Sequence, residues 1–215
     1  VNVLAGCELS GRVRDAFRRR GHNAYSNDIL GPDSQEWWLY PPQQFPDFHI
    51  VGDLIDVAMR GTPDGEPWDL LIAFPPCTYL ARSGLHWNNV RPERLAKTEA
   101  ALEFVSKILN LRHIPMRCME NPPGAIGGRL RRRDQVIDPS MFGDDHKKTT
   151  HLWLDNLPLL RPTQPINRAR YANQTASGQD REQRSPSRGA RRSLIAPGIA
   201  EAMAEQWGAL KGALH

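Results

Sequence analysis

Cysteine is scarce. Three residues in 215, an odd number in a chain of this length, exclude a disulfide framework and point to a reducing compartment. No stretch approaches the ~18 uncharged apolar residues that a membrane-spanning helix requires, and the N-terminal region lacks the apolar core of a secretory signal. The chain begins at Val1 rather than methionine, as a trimmed or processed start would. No internal repeat and no G-x-G-x-x-G dinucleotide fingerprint occur. The seven histidines show no ligand-pair spacing with the cysteines, so no metal is expected. What is present is a chain 40% hydrophobic and 24% charged. It can bury a real core of about one domain, on the usual scale of roughly 100–200 residues each. A soluble, cytoplasmic protein is expected.

Charge is unevenly distributed. The total is +4, from 28 basic and 24 acidic residues. Between Arg161 and Ser193, eight arginines face only Asp180 and Glu182, a surplus of +6, which leaves the rest of the chain at −2. Concentrated arginine suits a polyanionic partner, because guanidinium binds phosphate bidentately. A solvated arginine-rich loop is the alternative.

The first part of the chain alternates strands and helices. Strands are expected at Val1 to Ala5, Asn23 to Asn27, Phe48 to Val51, Asp69 to Phe74, Met116 to Met119 and His151 to Leu154. Helices are expected at Gly11 to Arg20, and after Pro92 with Leu95, Leu102, Val105 and Leu109 at helical spacing. A closing helix at about Gly198 to Leu210 carries Ile199, Met203 and Trp207 on one stripe. Short apolar strands separated by helices predict an α/β fold, a mostly parallel sheet with helices on both faces. Residues 161–193, with their Asn, Gln, Ser, Gly and Arg content, read as a flexible basic insertion between 1–160 and 194–215.

In such a sheet, ligands bind at the carboxyl ends of the strands. The first ends in Gly6-Cys7-Glu8-Leu9-Ser10-Gly11, where small residues and a helix start let a nucleotide-like ligand approach. Asp28 and Asp53 end the next two; a carboxylate there can accept both hydroxyls of a ribose or reach an adenine, although each alone can equally be a helix cap. The fourth ends in Phe74-Pro75-Pro76-Cys77, a stiff loop unsuited to core packing, which marks Cys77 as a nucleophile. Glu120 ends the fifth.

The order of these pieces resembles the DNA cytosine-5 methyltransferases, especially the short versions carried by bacteriophages. Ala5 to Gly11 is similar to their first, cofactor-binding motif, Ser26-Asn27-Asp28 to the second, and Gly52-Asp53-Leu54 to the third. Phe74-Pro75-Pro76-Cys77 resembles the catalytic Pro-Cys motif and Glu120-Asn121-Pro122 the Glu-Asn-Val motif. Phe142-Gly143, Lys148 and the strand from His151 resemble a later motif, and Pro197-Gly198-Ile199 the last. The resemblance implies a Rossmann-like S-adenosylmethionine-dependent fold, with cofactor contacts from Ala5, Gly6, Cys7, Glu8, Ser10, Gly11, Asp28, Ile29, Asp53, Leu54, Phe74 and Pro75. It implies that Cys77 adds to cytosine C6, Glu120 binds the ring edge, and Lys148 assists. DNA, with a flipped cytosine or single-stranded, would be held by Arg82, Arg168, Arg170, Arg181, Arg184, Arg188, Arg191 and Arg192. The compartment implied is the bacterial host cytoplasm.

Three departures stand out. The first motif lacks the family's glycines, Lys148 and Thr150 replace two arginines, and only about forty residues lie where a target-recognition domain would be. Methylation of an exocyclic amine would need Asp or Asn where Phe74 stands. Transfer of a modified S-adenosylmethionine group, or a catalytically silent DNA-binding protein, are the other readings. Replacing Arg181, Arg184, Arg188, Arg191 and Arg192 with glutamine is expected to weaken DNA binding about equally for all sequences. It should flatten the salt dependence by roughly 0.7–0.9 in log K per decade of salt for each phosphate no longer neutralised, measurable by anisotropy titration.

Overall fold

The computed structural model describes residues 1–39, 43–177 and 193–212. Its centre is a seven-stranded sheet of β1 (Asn2–Gly6), β2 (Asn23–Asp28), β3 (His49–Val51), β4 (Leu70–Ala73), β5 (Met116–Asn121), β6 (Gln135–Ile137) and β7 (Thr150–Asp155), in the order β3-β2-β1-β4-β5-β7-β6. The five strands from β3 to β5 in that order run parallel, while β7 is antiparallel to both neighbours. The helices are α1 (Arg12–Arg18), α2 (Leu54–Arg60), α3 (Arg82–Leu85), α4 (Pro92–Leu109), α5 (Ile126–Arg129) and α6 (Pro197–Gly208). None is long and apolar enough to cross a membrane.

Alternation along each strand feeds two cores. Val3 and Ala5 of β1, Leu70 and Ile72 of β4, and Leu152 and Leu154 of β7 join Val13, Ala16 and Phe17 of α1 and Ile199, Met203 and Trp207 of α6. Leu4, Leu71, Ala73 and Trp153 point the other way, onto Leu54 and Val57 of α2 and Leu102, Val105 and Ile108 of α4. Strands covered on both faces read as continuous apolar runs, which is why β1 and β4 are legible in the sequence.

Two expectations change. Leu95 is not part of the buried stripe of α4 but 43% exposed; Thr98, Leu102, Val105 and Ile108 face inward instead. Helix α2 and strand β6 have no counterpart in the sequence reading, each being too short for periodicity to declare itself. Residues 161–177 lie against the segment before β7, through Ile166 N–H to Ser140 O (2.7 Å) and a reciprocal pair between Asn173 and Lys147 (2.8 Å each). The remainder of the expected insertion, 178–192, lies outside the described residues.

A fully buried arginine locks α1 to the sheet. Arg14, 0% exposed, donates to Asp15 (2.8 Å), Ser26 Oγ (2.8 Å) and Gln43 Oε1 (2.9 Å). Ser26 Oγ in turn meets His49 Nδ1 at 2.9 Å, and His49 Nε2 meets Leu30 O at 2.9 Å. A carbonyl only accepts, so the proton of His49 is on Nε2 and Ser26 donates to Nδ1. Burial and the neighbouring Arg14 charge hold His49 below its ordinary range, which keeps it neutral. Removing one partner from such a network leaves the others desolvated and unpaired. Arg14→Met is therefore expected to cost about 3–5 kcal/mol in denaturant unfolding.

Candidate active site

The first loop leaves β1 through Gly6, where a Cβ would run into the Leu54 side chain, so that α2 lies directly over the strand end. Cys7 follows in the left-handed region, φ 56°, and Glu8 N–H donates to Asn27 O at 2.9 Å. Asn27, fully buried, donates from Nδ2 to Ile50 O (2.9 Å) and Gly52 O (3.0 Å). One side chain thus laces the ends of the second and third strands together, and Glu8 joins the first to them.

The acids named from the sequence take different tasks here. Asp28 is half-buried, accepts from Leu30 N–H (3.1 Å), and is raised above the ordinary carboxylate range by burial. Asp53 caps α2, accepting from Ile55 N–H (2.8 Å) and Asp56 N–H (3.3 Å). Both lie close enough to Cys7 that, after burial, their charges push its thiol far up. Ile29 beside them is 73% exposed. Glu8 is buried; its Oε1 accepts from Ser10 Oγ and from Arg12 N–H (3.2 Å) at the start of α1. Gly11, at φ 69°, makes the turn there, and a Cβ would collide with the Arg14 guanidinium. Ala5 is buried within the strand.

On the other side of β1, Phe74 N–H donates to Gly6 O (2.9 Å), and buried Asn121 donates from Nδ2 to Pro75 O (2.7 Å). That second bond ties the Cys77 loop to the end of β5, next to Glu120. The loop then turns on the Cys77 carbonyl, which accepts from Leu80 N–H (3.0 Å) and Ala81 N–H (2.9 Å). Beyond it, Arg82 N–H donates to Pro123 O and Ala125 N–H to Leu80 O. A Cβ on Gly124 would overlap the Leu80 carbonyl oxygen, so only glycine permits this approach. Glu120, 8% exposed, accepts from Thr150 Oγ1 at 2.7 Å.

Lys148 donates to Leu194 O (3.2 Å), and Arg12 to Ile195 O (2.6 Å), which brings the entry of α6 against the first loop. Asp144 accepts from Gly198 N–H (3.1 Å) in the same junction. Three of the arginines expected to meet DNA are among the described residues. Arg82 opens α3 beside the Cys77 loop; burial, and then the charges of Arg133 and Arg82, lower His151. Arg168 pairs with Asp145 at 2.6 Å, and Arg170 is exposed. The remaining five arginines lie outside the described residues. Asn27, Asn121 and Thr150 stand in the motifs read from the sequence, but their tasks of tying strand ends together and bonding Glu120 were not foreseen there.

No group of three or more His, Cys, Asp or Glu that could hold a metal occurs among the described residues. A groove of about 660 Å³ opens at the opposite end of the strands, lined by Arg112, Arg117, Arg129, Arg131 and Asp155 among others. Its arginines pair largely with Asp155, Asp134 and Glu99.

No family model matches this sequence, and no curated protein does. Among solved structures, the Entamoeba histolytica methyltransferase EhMeth is similar, with a TM-score of 0.51 at 16% identity over 77% of this chain. The likeness is one of fold, a Rossmann-like α/β architecture with a mostly parallel sheet. The chain spans 57% of the length of EhMeth.

The three cysteines are thiols in different settings. Burial, with Glu120 and Asp134 nearby, pushes Cys118 well up, as burial, Asp28 and Asp53 push Cys7. Only thiolates alkylate readily. Iodoacetamide at mildly alkaline pH is expected to label Cys77 at least about tenfold faster than Cys7 or Cys118, read by peptide mass spectrometry.

Proposed function

We propose that the protein is an S-adenosylmethionine-dependent DNA cytosine-5 methyltransferase using Cys77 as a covalent nucleophile. The observation that carries this reading is the Asn121-to-Pro75 hydrogen bond, which holds the nucleophile loop and the Glu120 strand end against each other. The methyltransferase fold of EhMeth supports methyl transfer in general.

The residues present fit the cofactor. Asp28 offers a half-buried carboxylate for a ribose at the end of β2. Ile29 lies exposed for an adenine face, Asp53 ends the neighbouring strand, and Phe74 and Pro75 follow β4 on the far side of β1. When bound, S-adenosylmethionine supplies a methyl group activated by a positively charged sulfur.

Cytosine C5 is a poor nucleophile because aromaticity holds its electrons. Addition of the Cys77 thiolate to C6 breaks that conjugation and makes C5 enamine-like. Glu120, steadied by Thr150, binds N3 and the exocyclic amine and stabilises the charge that develops there. The enamine-like C5 would then take the methyl group from the bound cofactor, and passage of the remaining C5 proton to water would reform the C5–C6 double bond and release Cys77 as a thiolate. The base must leave the stack, at a few kcal/mol, or be presented on a single strand. Lys148 would meet the target phosphate, and Arg82, Arg168, Arg170 and the arginines of 181–192 the DNA backbone. Phe74 favours this reading over amine methylation: its side chain packs against the core and has no acceptor for an N–H.

Incubation with S-adenosylmethionine and 5-fluorocytosine DNA tests this, because fluorine blocks the elimination. A covalent protein–DNA band in a denaturing gel is expected, and Cys77→Ala should abolish it together with turnover. Trapping by the alanine variant, or none by the native protein, overturns the proposal. Thr150→Val, which removes one bond to a charged acceptor, should slow turnover by roughly ten- to a hundredfold.

A further inference from the structure

Glu8 presents a chemical puzzle that the proposed reaction does not use. In nucleotide-binding α/β folds, the helix after the first strand receives the anionic part of its ligand at its N-terminus. Here that place is taken by the protein itself, since Glu8 Oε1 accepts from Arg12 N–H and Ser10 Oγ. The other oxygen, Oε2, is buried and has no hydrogen-bond partner among the described residues. A buried carboxylate oxygen left without a donor is costly.

Burial pushes the Glu8 carboxyl up, and the Ser10 hydroxyl and the Arg14 charge oppose it, but the guanidinium hydrogen bonds of both neighbouring arginines go to other groups. Arg14 bonds Asp15, Ser26 and Gln43, and the Arg12 guanidinium reaches Ile195 O. The orphaned oxygen lies in the loop that joins β1 to α1, at the carboxyl edge of the sheet. An acceptor without a donor is satisfied by an ammonium group, which carries N–H donors and no acceptor. A carboxylate brought to it would supply none.

Resting on the cofactor reading above, we infer that Glu8 selects the amino-acid end of the cofactor through its ammonium group and not through its carboxylate. In a first motif that lacks the expected glycines, a side-chain acceptor then takes the donor end of the cofactor. Glu8 acts in binding and does not touch the reacting carbon.

Calorimetry with four ligands tests this without turnover: S-adenosylhomocysteine, its decarboxylated amine analogue, its deaminated acid analogue, and methylthioadenosine. The native protein should bind the first two within about threefold of each other, and the last two at least about tenfold more weakly. Glu8→Gln keeps an acceptor for Arg12 N–H and should bind all four within about threefold, with methylthioadenosine unchanged. Loss of the carboxylate costing as much as loss of the amine, or a glutamine variant that still prefers the amine, overturns the inference. Should the variant fail to fold, the native ligand series decides alone. Failure of the native protein to bind any of the four removes the cofactor reading itself, and this inference with it.

Discussion

Strand β1 pairs in parallel with β2 on one side and with β4 on the other. Chains leaving its two neighbours therefore depart in opposite directions, and a crevice opens above its carboxyl end. The candidate residues at the strand ends depend on this arrangement. Gly6 through Gly11 occupy the crevice floor, the Asp28 and Asp53 ends lie to one side, and the Cys77 and Glu120 ends lie to the other.

Two buried asparagines convert loosely related strand ends into fixed geometry. Asn27 binds the carbonyls of Ile50 and Gly52, and Asn121 binds that of Pro75. Each also keeps a buried Oδ1 with no hydrogen-bond partner among the described residues. Buried polar groups of this kind carry a desolvation cost, which is met here by the bonds from Nδ2. The two halves are alike in construction and different in chemistry. One gathers Asp28 and Asp53 around Cys7 and, with burial, pushes its thiol up; the other ties the loop that carries Cys77 to the strand that carries Glu120.

The antiparallel strand completes the second half. Because β7 runs against β5, its first residue arrives at the carboxyl edge of the sheet, and Thr150 reaches Glu120. A parallel strand would have delivered its far end instead. The entry to α6 closes the ring by meeting Lys148 and Arg12, so that residues almost two hundred positions apart border one crevice.

Local patterning was enough for the strands β1, β4 and β5, for α1, and for the Ile199–Met203–Trp207 face of α6, because runs of apolar residues and helical spacing are properties of neighbouring residues. It was also enough to bring Cys77, Glu120, Asp28 and Asp53 to strand ends, since turn residues follow or flank each of them. Spacing could not show that Leu95 faces solvent, for a helix's inward stripe depends on where the sheet lies. Nor could it distinguish Asp53, which spends its carboxylate capping a helix, from Asp28, which is raised by burial. The partners of Glu120 and Pro75 come from Thr150 and Asn121, thirty and forty-six positions away. Such bonds exist only after β5 has paired with β4 on one side and β7 on the other, because strand order is set by packing of the whole sheet between its two helix layers.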